Sequence, residues 1–220
     1  MRAGSAIKGW IRRRLLSRWV VCEVRGAPGQ VALTFDDGPH PEYTRAVMAV
    51  LEAHGAKATF FCVGDQLARQ PALVAEMKAR GHEIANHSMT HAEFAQLGHE
   101  GISTELDGVF SMRDAGGAPV AAQAYFRPPK GVINVPVLRY CAARGKRIIY
   151  WNRDPKDYAT RGVEEVMAGL AEQPLTAGDI VLLHDKMPHS AASVQHILQR
   201  LEASRLKAVT VSTLLAAAAL

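Results

Sequence analysis

Cysteine is scarce in this chain of 220 residues: Cys22, Cys62 and Cys141 are widely spaced and form no close pair. An odd, scattered set excludes a disulfide framework. Cys62 lies inside the apolar run Thr59–Val63, so it reads as a buried free thiol rather than half a disulfide or a metal ligand. A reducing compartment is the expectation. No apolar stretch is long enough to span a bilayer, and no internal repeat stands out. Basic stripes are also missing from the body: beyond residue 25 there are 19 Lys and Arg against 20 Asp and Glu, a net charge of −1. That balance argues against nucleic acid as a partner. What remains is a chain 48% hydrophobic and 21% charged, suited to one folded core rather than to disorder or a membrane bundle.

The basic character belongs to the N-terminus. Residues 1–25 hold seven basic side chains against Glu23 alone, a local balance of +6. Ile7, Trp10, Ile11, Leu15 and Trp19 recur there at roughly helical spacing, with arginines between them. One reading is an amphipathic helix lying on an anionic membrane surface; the other is a helix packing its apolar side on the domain. The arginines interrupt any signal-peptide core, and no small-residue cleavage site follows. The expected organisation is a segment 1–25 followed by one domain, 26–220. The expected location is the cytoplasm, at the inner membrane face under the first of these two readings of residues 1–25. Nothing in the pattern specifies an oligomeric state.

From residue 31 onward, short β-rich runs alternate with helical patterns. Strands are predicted at Val31–Phe35, Ala58–Val63, Glu83–Asn86, Ala124–Arg127, Arg147–Trp151, Asp179–His184 and Ala208–Val211. Helices are predicted at Thr44–His54, Pro71–Arg80, Ile102–Arg113, Val135–Arg144, Val163–Glu172, Ser190–Ala203 and Thr213–Ala219. Gly55, Gly81 and Gly145 stand where left-handed helix caps are needed. This alternation implies an α/β fold with a parallel sheet, either open and doubly wound or closed into a barrel.

Asp36 and Asp37 follow the first strand, in Val31-Ala32-Leu33-Thr34-Phe35-Asp36-Asp37-Gly38-Pro39. Two adjacent carboxylates leaving a core repel each other and lose hydration unless something nearby uses negative charge. Taken alone, a solvated turn redirected by Gly38-Pro39 is the simpler reading. Other strand ends change that. His87 follows the third strand, with His91 four residues on. Arg127 ends the fourth, Asp154 and Asp157 follow the fifth, and His184-Asp185 ends the sixth. Ligands of parallel α/β folds sit at those carboxyl ends, so the polar residues converge on one site. Asp37, His87 and His91 offer one oxygen and two nitrogen ligands, a set suited to zinc or a similar divalent ion with positions left for water and substrate.

These segments resemble the motifs of the polysaccharide deacetylase family, the NodB-type domain of carbohydrate esterase family 4. Thr34–Pro39 is similar to the first motif, His87–His91 to the second, and Arg127–Gly131 to the third. Asp154–Tyr158 is similar to the fourth and Leu182–His184 to the fifth, in order and across about residues 30–215. The resemblance implies a distorted (β/α)7 barrel and a metal-dependent hydrolase that removes the N-acetyl group of an amino sugar in an oligo- or polysaccharide, or its lipid-linked precursor. It implies metal ligands Asp37, His87 and His91 for Zn2+, with Co2+ or Ni2+ as substitutes. Asp36 becomes the general base, oriented by Arg127. His184 becomes the general acid, kept cationic by Asp157. The backbone N–H of Lys130 faces the oxyanion, while Tyr158 and Leu182 line the acetyl pocket.

Two positions depart from the family pattern: Lys130 stands where an aromatic residue is usual, and Tyr158 where Trp is usual. Both bear on the glycan rather than on the chemistry, and Lys130 suits an anionic substrate. Other readings are a hydrolase of a non-sugar amide and a non-catalytic glycan-binding domain; the latter has no need of a base and an acid. Asp65, Asp185 and the remaining histidines, His40, His54, His82, His99, His189 and His196, are expected in structural or surface positions.

Overall fold

The computed structural model describes residues 19–172 and 174–218. Most of the basic segment 1–25, including the helix expected there, therefore lies outside the described residues. Eight strands are found among those described: β1 (Val20–Val21), β2 (Gln30–Asp36), β3 (Thr59–Cys62), β4 (Glu83–Asn86), β5 (Tyr125–Phe126), β6 (Arg147–Ile149), β7 (Ile180–His184) and β8 (Lys207–Val209). The helices are α1 (Tyr43–Ala53), α2 (Gly64–Arg69), α3 (Pro71–Ala79), α4 (His99–Ser111), α5 (Val135–Arg144), α6 (Val163–Ala171), α7 (Ser190–Ala203) and α8 (Val211–Ala217).

All strand pairings are parallel and run in the order β1-β6-β5-β4-β3-β2-β7, with β8 beside the start of β2. The ends of this path are stitched together. Val24 N–H bonds Gly178 O at 2.8 Å, and Leu182 N–H bonds Arg153 O at 2.9 Å. The sheet therefore curls into the distorted barrel, with β1 and the residues after β6 filling the gap beside β7.

Parallel strands covered on both faces read as unbroken apolar runs, and β2 is buried from Val31 to Asp36. Its alternate residues serve two layers. Val31, Leu33 and Phe35 pack outward with Val47, Met48 and Leu51 of α1. Ala32 packs inward with Phe61, Ala85 and Ile180, and Val211 and Leu214 of α8 belong to the same cluster. A third cluster joins α4 and α5 to β5 and β6 through Leu106, Tyr140 and Phe126.

Gly55, Gly81 and Gly145 take the left-handed conformation expected of them, at φ 60°, 76° and 60°. Several elements differ from expectation: α4 begins at His99 rather than Ile102, and β6 stops at Ile149 rather than Trp151. β1 is only two residues long and α2 only six, too short for periodicity to reveal. The last strand stops at Val209, because Thr210 caps α8 by accepting the N–H of Thr213, making Val211 the first residue of that helix.

Register carries the chemistry. Pairing of β2 with β7 sets Asp36 beside His184. Pairing of β4 with β5 sets Asn86 beside Phe126, so His87 and Arg127 leave the sheet as neighbours.

The closing seam has no spare room. Gly178 has φ +92°, and a Cβ there would stand 2.1 Å from Val24 O, a backbone atom. Gly178→Ala is expected to cost about 3 kcal/mol of stability, read as a lowered urea midpoint.

Candidate active site

Every site residue expected from the sequence lies in or directly behind one cavity of about 350 Å³ at the carboxyl end of the barrel. Asp36, Asp37, His87, His91, Lys130, Tyr158, Leu182 and His184 line it. Arg127 and Asp157 are buried behind the lining. A larger cavity, about 780 Å³, lies among His54, Lys57, Arg205 and Lys207. It holds no comparable set of convergent acids and histidines, so size does not identify the site.

The first group is Asp37, His87 and His91, whose ligand atoms all lie within 4.8 Å of one another. Asp37 Oδ1 is 3.3 Å from His87 Nε2 and 3.2 Å from His91 Nε2. His87 Nδ1 is 2.8 Å from the carbonyl oxygen of Arg127. That contact keeps the proton on Nδ1 and leaves the Nε2 lone pair facing the site, the arrangement a metal-binding histidine needs. The donor set thus fits a divalent ion. Burial works to raise the Asp37 carboxyl; N–H contacts from His87 and His91 in their protonated forms, together with the Lys186 ammonium, outweigh it and hold the group below the usual carboxylate range.

Local structure fixes the loop that carries His87 and His91. His91 N–H donates to Ser88 Oγ, and Ser88 N–H to Asn86 Oδ1. The first N–H groups of α2 hold the same loop: Gly64 donates to Ser88 O and Asp65 to Met89 O, each at 2.9 Å. Gly64 is required there, since a Cβ would stand 2.3 Å from Met89 Sδ and 3.0 Å from Met89 Cα. Asp65, expected to be structural, thus sits in the helix that supports the histidine loop.

The second group is Asp36 with Arg127. Arg127 Nη1 donates to Asp36 Oδ1 at 2.6 Å and to Thr34 Oγ1 at 2.9 Å. Nε and Nη2 donate to the carbonyl oxygens of Ile149 and Tyr150, each at 2.9 Å. The guanidinium also lies over the Phe61 ring, 4.1 Å from its centroid. Burial pushes the guanidinium below its ordinary value against the opposing pull of Asp36, yet an arginine remains charged at any working pH.

The third group is His184 with Asp157. Asp157 Oδ1 lies 2.8 Å from His184 Nδ1, and its Oδ2 accepts the His184 backbone N–H at 2.7 Å. Burial works against the imidazolium, but the Asp157 carboxylate outweighs it and raises His184 above its ordinary value. Tyr158 stands edge-on to His184, ring centroids 5.3 Å apart.

Asp185, expected to be structural, lies under the turn that carries Asp37. It is fully buried, accepts a hydrogen bond from Thr44 Oγ1, and fills the space a Gly38 side chain would need. Burial lifts its carboxyl to about 7.

Sequence patterns did not single out Trp151, Lys186 or Glu93. Trp151 stacks on Tyr150 at 4.0 Å and walls the cavity; an aromatic residue at a strand's carboxyl end was the available signal. Lys186 pairs with Asp37, and Glu93 with Lys130. Those partnerships join distant segments and left no mark in the chain.

A family profile described as Polysaccharide deacetylase matches residues 23–149. The chain is 36% identical over 203 residues to a peptidoglycan-N-acetylglucosamine deacetylase of Bacillus cereus, covering 90% of this chain and 93% of that one. It is 39% identical over 159 residues to a chitooligosaccharide deacetylase of Bradyrhizobium, covering 72% of this chain and 71% of that one. Among solved structures, the peptidoglycan deacetylase PdaC from Bacillus subtilis superposes with a TM-score of 0.77 at 28% identity, covering 86% of this chain and 91% of that one. The chain belongs to the polysaccharide deacetylase family. It is a hydrolase of the amide bond of acetylated sugars.

Loss of Arg127 would leave Asp36 buried without its partner. Arg127→Met would strand the Asp36 charge in dry surroundings, a change expected to cost about 3–5 kcal/mol. Urea unfolding of the variant against the wild type measures it.

Proposed function

We propose that the protein is a metal-dependent N-deacetylase of an amino sugar within an oligo- or polysaccharide, releasing acetate and leaving a free amine. The observation that carries this reading is the meeting of three partnerships in one cavity: Asp37 with His87 and His91, Asp36 with Arg127, and His184 with Asp157. Names of the relatives, which specify peptidoglycan N-acetylglucosamine and chitooligosaccharide, support the substrate class.

Held by Asp37, His87 and His91, a divalent ion, Zn2+ first and Co2+ or Ni2+ as substitutes, would polarise the acetamide carbonyl and acidify the attacking water. Asp36, held by Arg127 and 3.8 Å from His87 Nε2, takes the proton from that water as its oxygen attacks the carbonyl carbon. The N–H of Lys130, in a turn held at φ 55°, is assigned to the oxyanion. His184 delivers a proton to the sugar nitrogen as the C–N bond breaks, and Asp157 stabilises the imidazolium beforehand. Leu182 and Trp151 offer apolar walls for the acetyl methyl group; Tyr158, expected on that wall with Leu182, is half exposed and offers instead a flat surface for a sugar ring.

Acetate release from N-acetylated oligosaccharides, with and without chelator, tests the reading. Asp36→Asn is expected to bind Zn2+ like the wild type while losing at least about a hundredfold in turnover. Asp37→Ala is expected to lose the metal itself. Chelator-insensitive release, or a fully active Asp36→Asn, overturns the mechanism.

The acid has its own signature in pH. Activity needs His184 protonated, so the rate falls as pH rises through its raised value. Removing the Asp157 charge withdraws what raises it, so Asp157→Asn should move the alkaline limb of the pH–rate profile to lower pH. An unmoved limb would remove His184 from the role.

A further inference from the structure

Asp37 has two oxygens and they are used differently. Oδ1 faces His87 and His91, at 3.3 and 3.2 Å. Oδ2 accepts a hydrogen bond from the Lys186 ammonium and lies 3.9 Å from His184 Nε2. The only carboxylate among the ligand set is therefore already engaged by a cation of the chain itself.

The loop that carries Lys186 is fixed around it. Asp185 is buried against Gly38 and held by Thr44. Ser190 Oγ donates to His184 O at 2.7 Å and accepts the Met187 N–H at 3.2 Å. Lys186, by contrast, keeps two fifths of its side chain exposed, on a stem of four methylenes. Its backbone is held while its ammonium is free to rotate toward water.

A divalent ion at Asp37, His87 and His91 would meet this ammonium at like-charge range. Entry of the ion is then an exchange of one cation for another, rather than simple addition. We propose that Lys186 is a built-in competitor for the metal ion: it neutralises Asp37 and must swing away from Oδ2 when the ion binds. The affinity of the site is thereby set below what its three ligands would give. Once displaced, the ammonium remains on the cavity wall, where it adds positive charge to the substrate side. The inference rests on the assignment of Asp37, His87 and His91 as metal ligands.

Zn2+ titration of the full chain by calorimetry, with chelator competition, tests it on wild type, Lys186→Met and Lys186→Arg. The methionine keeps the length of the stem and removes the charge. Lys186→Met is expected to bind Zn2+ about fivefold more tightly, the scale of a partly exposed ion pair, and Lys186→Arg to stay near wild type. Thermal unfolding without added metal should show Lys186→Met destabilised relative to wild type, with the gap closing at saturating Zn2+. Equal or weaker binding by Lys186→Met overturns the competitor role while leaving the metal site intact. Absence of Zn2+ binding by the wild type overturns the ligand assignment itself, and the competitor role with it. If Lys186→Met fails to fold, Lys186→Gln replaces it with the same expected tightening.

Discussion

Arg127 and Asp36 form the contact on which the architecture of this site rests. A guanidinium without exposure to water is costly, and here each nitrogen is answered: by Ile149 at the end of β6 and Tyr150 just after it, and by Thr34 and Asp36 of β2. Thr34 passes the connection on, donating to Val181 O of β7 at 2.6 Å. One side chain therefore ties together strands from opposite walls of the barrel. The same residue's carbonyl oxygen orients His87. Asp36 and His87 are consequently positioned from a single point, one by the side chain and one by the main chain.

Strain is distributed unevenly over the molecule. Among the described residues, the non-glycine positions with positive φ are Asp37, Ser88, His91, Lys130, Lys156 and Arg205. All but Arg205 lie on loops at the carboxyl ends of strands. A left-handed conformation costs such residues on the order of 1 kcal/mol or more apiece, and the surrounding hydrogen bonds are what hold them there. In the histidine loop those bonds come from α2 and Asn86. The barrel supplies rigidity, and its rim spends part of it on aiming side chains.

Much of this was legible in the chain. Strands appear as short β-branched or apolar runs because both faces of a parallel sheet are covered, and helix ends appear as glycines because only they take φ near 60° without strain. The site residues were legible because chemistry-bearing side chains follow successive strands. What could not be read is whatever depends on pairing at a distance. The adjacency of Asp36 and His184 is a matter of register between segments almost 150 residues apart. The placement of Lys130, Tyr158 and Leu182 came through resemblance to a family rather than through any period in the sequence. Lys186 stayed hidden because a lysine two residues past a histidine has no pattern of its own; only the fold returns it to Asp37.

The barrel interior has a consequence for traffic. Between the inward cluster around Ala32, Phe61 and Ala85 and the α8 residues Val211 and Leu214, the core is packed solid, as barrels of this kind are. The cavity is thus a dead-end street. Among the described residues, the buried cluster below the cavity leaves the carboxyl end of the barrel as its opening, so a fragment released there would leave by the side on which the glycan binds. Under the proposed reaction, substrate and product share one mouth because a hydrophobic plug that never touches the reaction closes the far side.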